Sequence, residues 1–306
     1  MDDVFFPLAV VVSIGAFLRY GRPEIEQTRR SVNQLVLYVF LPALVFRTVI
    51  EADIDRVFFE IPIMAFIGVM TSLVMSFLVF RYLPIPGPTK GAMILGATFG
   101  NVTYLGLPIL LETFPKATEQ AAEVSVLFEV TKSSLNLTLG AMTAIYFGSH
   151  EEVTLRKTVF EAMKLPPIWA LIFAILLKSS QISCPAFVLE TTKLLSSSVS
   201  GLMMLSLGMA LRFRINRLIW LVIPVSLLKL VVAPLLMARI VTLYGVNDVY
   251  GSATIIEAGM PSQLLSFVIS SRFKLDEETL STVILADTML AFLTVPWVIE
   301  HLALGH

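Results

Sequence analysis

Charged residues are scarce in this sequence of 306 residues: they make up only 15% of it, while hydrophobic residues make up 56%. An average soluble domain carries about 25% charged residues, because polar groups must cover its apolar core. The mean hydropathy of +0.83 therefore excludes an ordinary water-soluble globular protein. So much apolar sequence also excludes an intrinsically disordered chain. What remains is a protein that lies largely within a lipid bilayer.

Cysteine and histidine are almost absent. The single cysteine, Cys184, excludes an intramolecular disulfide and a Cys-rich metal centre. The three histidines lie near the ends of predicted segments, so no zinc site can be assembled from them. The net charge of -1 offers no basic excess for nucleic acid. Because His-rich metal motifs and nucleophile elbows are also missing, we predict no enzyme, no cofactor and no nucleic-acid partner.

Long apolar runs are abundant, and each has about the 20 residues that cross a bilayer. The first run follows Asp2 and Asp3 rather than basic residues, so we interpret it as a span and not as a cleaved signal peptide. The sequence predicts an all-α polytopic membrane protein with ten transmembrane helices, at residues 4–20, 32–50, 57–80, 91–114, 121–147, 159–178, 188–211, 217–243, 249–271 and 279–301.

The distribution of Lys and Arg predicts the orientation of these spans. With the N-terminus outside, the inner connectors hold more than twice as many Lys and Arg residues as the outer ones. Such an excess marks the cytoplasmic side of a membrane protein. We therefore predict a multi-pass protein of the cell membrane with both termini extracytoplasmic, which also requires an even number of spans.

The two halves of the chain resemble each other. The string "PLAVVV" from Pro7 resembles "PIWALI" from Pro167, and further pairs follow in the same order at an offset of about 160 residues. We predict two five-helix repeats, residues 1–148 and 149–306. Because five is odd, the repeats insert with opposite topology, an arrangement typical of secondary transporters.

Predicted spans 4 and 9 are broken near their middles, by "FGNVTYLGLP" from Phe99 and "EAGMPSQ" from Glu257. Gly and Pro interrupt a helix, and in a membrane this is tolerated where the backbone faces protein or a watery cavity. Breaks at equivalent places in two repeats indicate a transport site, whose helix N-termini suit an anion and whose free carbonyls suit a cation. We predict that the substrate-binding residues are Asn101, Val102, Thr103, Tyr104, Gly259, Met260, Pro261, Ser262 and Gln263.

Four further charges lie near the middles of predicted spans, where each unpaired charge costs about 2.5–3.5 kcal/mol. Glu129 and Lys132 are three residues apart in span 5, so they can pair on one helix face. Lys229 lies in span 8 and Asp287 in span 10. Two interpretations stay open: structural ion pairing, favoured for Lys229, and a proton or ion relay.

Five strings carry a resemblance to a known family: "NQLVLYVFLPALVF" (33–46), "GNVTYLGLPIL" (100–110), "LPPIWALIFAILL" (165–177), "LMMLSLGMAL" (202–211) and "EAGMPSQ" (257–263). They resemble the auxin efflux carrier family, within the wider bile acid/arsenite/riboflavin transporter superfamily. The resemblance covers essentially the whole chain and implies that spans 4 and 9 cross at their breaks. It further implies a dimeric scaffold of spans 1, 2, 6 and 7 and a moving transport domain of spans 3–5 and 8–10.

The string from Glu257 to Met260 also resembles the sodium-binding stretch of bacterial bile acid sodium symporters, whereas plant carriers of the family tend to have Asn at the position of Glu257. This second resemblance implies a Na⁺ site at Glu257. We predict that the residues of a coupling-ion site are Glu257, Asn101, Thr131, Ser134 and Asp287. Coupling to Na⁺ and coupling to H⁺ both remain open.

The family resemblance implies transport of a small carboxylate. We predict a secondary active transporter that carries a small organic anion across the lipid bilayer by an elevator-type alternating-access mechanism, as a homodimer through its scaffold helices. The alternative is a passive anion channel or uniporter of the same fold, because broken helices also line pores.

Overall fold

The computed structural model of the protein describes residues 2–20, 22, 24–51, 56–148, 166–180, 184–210 and 219–304, and these ranges are mostly helical. Three sequence-based predictions lie partly outside them: the boundary between the repeats after residue 148, the start of the span at 159–178, and the connector between the spans that end at 211 and begin at 217.

The helices of the described ranges follow one another along the chain. They are α1 (Asp2–Arg19), α2 (Ile25–Glu51), α3 (Arg56–Arg81), α4 (Gly87–Thr98), α5 (Val102–Thr113), α6 (118–147), α7 (Pro166–Ser179), α8 (Ala186–Ser196), α9 (Val199–Ala210), α10 (Ile219–Tyr244), α11 (Val249–Ala258), α12 (Leu264–Arg272) and α13 (Glu277–Ala303). Several of them contain a wider π-helical turn, at Val36–Phe40 in α2, Val102–Gly106 in α5, Asn136–Gly140 in α6, Leu227–Val232 in α10 and Ile299–Ala303 in α13.

Among the described helices, α2, α3, α10 and α13 are long and apolar enough to cross a membrane. Helices α5 and α7 and the Phe6–Arg19 part of α1 are apolar but shorter. The helical content and these apolar helices agree with the predicted class, an all-α polytopic membrane protein.

The ends of the helices that carry the candidate site are set by local capping. Helix α10 is followed by Gly245 at φ +72°, a left-handed conformation that glycine adopts without the steric penalty of a Cβ atom. Asp248 then begins α11, and its carboxylate accepts a hydrogen bond of 3.0 Å from the backbone N–H of Tyr250. Asp276 begins α13 in the same way, accepting from the backbone N–H of Thr279 at 3.0 Å. These caps fix where α11 and α13 begin.

The contacts divide the chain into two compact units. Unit 1 comprises Met1–Asp55, Thr103–Val126 and Glu161–Leu211. Within it, α1 packs against α9, α7 and α8 pack against the second half of α2, and α5 contacts both α1 and α9. Its core includes the buried side chains of Val36, Leu44, Val45, Leu107 and Met203.

Helices α1 and α9 of unit 1 approach each other closely at two glycines. A Cβ atom added to Gly208 would lie 2.0 Å from the carbonyl oxygen of Val12, and one added to Gly15 would lie 2.3 Å from that of Leu205. Small residues allow this kind of backbone approach in membrane helices, where van der Waals packing drives association. Neither position has room for a side chain.

Unit 2 comprises Arg56–Val102, Leu127–Phe160 and Arg212–His306. Within it, α4 packs against α3, α6, α12 and α13, while α10 packs against α3, α11 and α13. Its core surrounds α4 and includes Phe80, Met93, Leu95, Phe99 and Leu280. The four charges predicted near the middles of spans, Glu129, Lys132, Lys229 and Asp287, all belong to this unit.

Candidate functional site

The break between α4 and α5 and the break between α11 and α12 lie side by side in unit 2. Their backbones form an isolated antiparallel bridge. The N–H of Asn101 donates to the carbonyl oxygen of Pro261 at 2.7 Å, and the N–H of Gln263 donates to that of Phe99 at 3.1 Å. Backbone groups released from a helix need a partner in a membrane, and each break supplies partners to the other.

Two buried lysines donate to backbone carbonyls at these breaks. The Nζ of Lys132, in α6, lies 2.9 Å from the carbonyl oxygen of Gly100, just beyond the end of α4. The Nζ of Lys229, in the π-helical turn of α10, lies 2.6 Å from that of Ala258, the last residue of α11. The last carbonyls of a helix have no partner within it and carry partial negative charge, so an ammonium group stabilises them.

Glu129 forms an ion pair with Lys132 on the same face of α6, as their spacing predicts. Its Oε2 lies 2.7 Å from the Nζ of Lys132, and its Oε1 accepts a hydrogen bond from the hydroxyl of Ser133. The ammonium group of Lys132 therefore joins a carboxylate of its own helix to the backbone of the α4 break.

Asp287 of α13 is fully buried and is held by two serine hydroxyls. Ser262, at the α11 break, donates to its Oδ2 at 2.5 Å, and Ser226 of α10 donates to its Oδ1. The Ser262 hydroxyl also lies 2.9 Å from the carbonyl oxygen of Gly96 in α4. Asp287 interacts electrostatically with Lys229, yet its described hydrogen bonds come from serines rather than from a lysine.

Glu257 lies in the last turn of α11, one residue before the carbonyl that Lys229 contacts, and its side chain is fully buried. It lines a small cavity of about 10 Å³, close to the space that one water molecule needs. The other residues that line this cavity are Gly68, Val69, Ser72, Thr98, Gly100, Phe128, Lys132, Lys229, Ala233 and Ala258. Glu257 also interacts electrostatically with Lys229.

Four of the five predicted ion ligands, Asn101, Thr131, Ser134 and Asp287, do not line this cavity. The hydroxyl of Thr131 donates to the carbonyl oxygen of Leu127 at 2.9 Å, and the hydroxyl of Ser134 donates to that of Val130 at 2.8 Å. Both hydroxyls therefore bond within α6, and neither residue lines the cavity. These bonds follow the usual four-residue return of Ser and Thr in helices, so a hydroxyl in a span is weak evidence of an ion ligand.

The predicted substrate residues divide between the two units. Asn101, Val102 and the 259–263 segment lie in unit 2, where Asn101, Met260 and Ser262 are buried. Thr103 and Tyr104 belong to the part of α5 in unit 1. Sequence analysis did not single out Ser226, which donates to Asp287, or Ser72 and Thr98, which line the cavity. Serine and threonine are common throughout the apolar helices, so their residue types alone do not mark these positions.

Comparison with known proteins identifies the family of this chain. Residues 5–143 and 116–299 match the sequence profile of the family described as membrane transport protein. The chain belongs to this family, the auxin efflux carriers. The predicted recognition is therefore confirmed, and the protein is a membrane transporter.

Three relatives of this auxin efflux carrier protein match it along almost its whole length. A transporter of Methanothermobacter thermautotrophicus is 26% identical over 299 residues, and one of Methanocaldococcus jannaschii is 23% identical over 304 residues; each match covers 96% of both chains. A transporter of Escherichia coli K12 is 20% identical over 290 residues, covering 94% of this chain and 92% of its own. All three are named uncharacterized transporters.

Proposed function

We propose that this auxin efflux carrier protein is a secondary active transporter that moves a small organic anion by an elevator-type mechanism and couples this movement to a cation. The observation that carries the proposal is the pair of hydrogen-bonded helix breaks in unit 2, surrounded by buried charges. Joined breaks combine helix termini, free carbonyls and charged side chains in one place, as a transport site requires.

The buried charges of unit 2 support a functional role because they are costly. Burying a charge within a membrane costs several kcal/mol, and even a well-made ion pair recovers this only in part. Within one unit, Lys132, Lys229, Glu257 and Asp287 are buried, and Glu129, whose side chain is 21% exposed, pairs with Lys132. Apolar residues of similar size would pack an all-helical fold at lower cost, so we expect these groups to act in ion and substrate handling.

The fold that we propose has ten spans in two inverted five-helix repeats, with the broken spans 4 and 9 crossing at the joined breaks. Unit 1 holds predicted spans 1, 2, 6 and 7, the proposed scaffold, and unit 2 holds spans 3, 8, 9 and 10, part of the proposed transport domain. Unit 1 also takes residues 103–126, so the assignment of spans 4 and 5 to the transport domain rests on the family resemblance.

Uptake by proteoliposomes tests the proposal. Vesicles that contain the purified protein are given a panel of labelled mono- and dicarboxylates, with an inward H⁺ gradient, an inward Na⁺ gradient or no gradient. We expect at least one carboxylate to reach an internal concentration above the external one under an ion gradient. A carboxylate that only equilibrates indicates the passive channel or uniporter instead, and no uptake of any carboxylate contradicts the organic-anion class.

We propose that both termini face the extracytoplasmic side of the cell membrane. A short epitope tag fused to either end should bind antibody in intact cells at about the level seen after permeabilisation. The excess of Lys and Arg in the inner connectors supports this orientation. Staining of just one end only after permeabilisation would contradict the even number of spans, and such staining of both ends would contradict the orientation.

We also propose that the protein is a homodimer through its scaffold helices. Helices α7 and α8 of unit 1 expose large apolar side chains, including Trp169, Phe173, Phe187 and Leu194. Such side chains suit lipid or a second copy. Light scattering of the detergent-purified protein, corrected for bound detergent, should give twice the mass of 33.8 kDa.

A further inference from the structure

The donor groups around the joined breaks do not fit the sodium ion that the resemblance to sodium symporters implies. A coupling Na⁺ in such folds is held by unwound carbonyls and helix C-terminal ends together with side-chain oxygens. Here the hydroxyls of Thr131 and Ser134 bond within their own helix, and neither residue lines the cavity that Glu257 lines. Among the described residues, no three His, Cys, Asp or Glu side chains group as they would around a metal ion.

The carbonyl oxygens that a Na⁺ would use are already occupied by ammonium groups. Lys132 donates to Gly100 beyond the end of α4, and Lys229 donates to Ala258 at the end of α11. Each of the two breaks therefore has one lysine that donates to a backbone carbonyl oxygen there. Both residues are almost fully buried, with exposed fractions of 1% for Lys132 and 3% for Lys229.

We infer that the ammonium groups of Lys132 and Lys229 are built-in cations that take the places of coupling sodium ions at the two helix breaks, so that transport by this protein requires no Na⁺. This inference rests on the proposed transport function and specifies its coupling: where accumulation is driven by an ion, that ion is the proton. The carboxyl group that lines the cavity between the two lysines is Glu257.

The charge around the cavity argues against an additional monovalent cation. Lys132 and Lys229 both line it, and Lys132 acts on Lys229 as a like charge. Three carboxyl groups, those of Glu129, Glu257 and Asp287, stand against these two positive charges, so the group is neutral when one of the three holds a proton. A Na⁺ in a space of about 10 Å³ would face both ammonium groups at short range.

The backbone of the α4 break is shaped to admit the lysine of α10. A Cβ atom on Gly100 would lie 2.9 Å from the Cε of Lys229 and 3.0 Å from the carbonyl oxygen of Met260. Glycine at this position therefore lets the ammonium group of Lys229 reach between the two breaks. This close contact between the backbone of Gly100 and the end of the Lys229 side chain supports a specific role for the charge of Lys229.

Removal of a built-in cation should create a site for a dissolved one. Lys229→Ala leaves a gap beside the Ala258 carbonyl oxygen and the carboxylates of Glu257 and Asp287, a group of oxygens that suits a small monovalent cation. Lys229→Met fills the same gap with an uncharged chain. We expect both variants to lose gradient-driven uptake and about 5 °C of thermal stability, and we expect Na⁺ or K⁺ to restore stability to the alanine variant only.

Thermal unfolding of the purified protein in 200 mM NaCl, KCl or choline chloride tests this without reference to any substrate. The wild-type midpoint should be the same in all three salts, within about 1 °C. The same comparison of an alanine and a methionine variant is made at Lys132, which pairs with Glu129. The matched control is Lys178→Met in unit 1, because Lys178 also donates to helix carbonyls, those of Val49 and Ile50 in the last turn of α2, but lies outside unit 2. It should show no dependence on the salt.

Two results would overturn the inference. The first is a wild-type protein that Na⁺ stabilises or accelerates relative to K⁺ and choline, a measurement that needs no variant to fold. The second is a folded Lys229→Ala or Lys132→Ala protein whose stability no monovalent cation restores. Failure of the transport proposal is distinct, because it shows as absent carboxylate uptake while the salt dependence of unfolding is unaffected.

Discussion

Replacement of Glu257 by glutamine is expected to abolish gradient-driven accumulation of the substrate while leaving the fold intact. Glu257 is fully buried at the α11 break and lines the cavity that Lys132 and Lys229 also line. Glutamine has nearly the same shape and still forms hydrogen bonds, but it neither carries a charge nor exchanges a proton. The variant should therefore fold and bind, and should exchange internal for external substrate, without concentrating it.

The size of the expected effect follows from the charge that Glu257 brings to the site. Two like charges about 4 Å apart at an effective dielectric constant of about 20 repel by about 4 kcal/mol. An ionised Glu257 beside a bound carboxylate would weaken substrate binding by about a thousandfold, since about 1.4 kcal/mol corresponds to tenfold. Protonation of Glu257 removes this repulsion, so proton and substrate should bind cooperatively.

Measurement of uptake and of counterflow in the same vesicles checks this expectation. Glu257→Gln should show counterflow with no response to an imposed H⁺ gradient. Glu60→Gln serves as the control, because Glu60 is a buried glutamate of α3 that pairs with Arg56 and lies outside the cavity, and its coupling should be unchanged. Retained gradient-driven accumulation in Glu257→Gln would show that coupling lies elsewhere, with Asp287 the next residue to test.

The helix breaks could be predicted from sequence because their signals are local. Gly100 and the Gly259–Pro261 pair interrupt apolar runs that are otherwise continuous, and interruption by Gly and Pro follows from their backbone chemistry alone. The Glu129–Lys132 pair was predictable for a similar reason, since residues three apart share a helix face. The number of spans and their orientation stay predictions.

The partners of the other charges could not be predicted, because they come from distant parts of the chain. Lys132 and Lys229 reach carbonyl groups about 30 residues away, and backbone carbonyls leave no mark in a sequence. Ser226 and Ser262 hold Asp287 from two other helices, and serine is common in apolar helices. From residue types, ion pairing and a proton or ion relay were the two interpretations. The described hydrogen bonds of Lys229 and Asp287 go to a carbonyl and to hydroxyls.

The π-helical turns of unit 2 show how one extra residue per turn changes what a lysine can reach. Lys229 lies within such a turn in α10, where the wider spacing alters the direction of the side chains that follow. No periodicity in the sequence marks this turn, because the other residues of the turn are all apolar. Turns of this kind often occur at functional sites, in agreement with the role that we propose for Lys229.

Substitution of alanine for Gly208 is expected to be the most destabilising small change in unit 1. Its Cβ would lie 2.0 Å from the carbonyl oxygen of Val12 and 2.9 Å from the Cα of Gly15, and backbone atoms cannot move aside as a flexible side chain can. Helices α1 and α9 would have to separate by more than about 1 Å and would lose packing along their whole contact. We expect this loss to lower the free energy of unfolding by about 3 kcal/mol or more. We expect the unfolding midpoint to fall by about 6–12 °C, or the protein to aggregate on purification.

Gly201 provides the matched control for this prediction, because it lies two turns earlier on the same helix and a Cβ added there would meet nothing within 4 Å. Gly201→Ala removes the same backbone freedom and should leave stability unchanged or raise it by up to about 1 kcal/mol, since alanine is the better helix former. Thermal unfolding of both variants in detergent separates the two effects. A Gly208→Ala protein as stable as Gly201→Ala would show that α1 and α9 do not pack this closely. The glycines at positions 15 and 208 would then not be required for contact between the two helices.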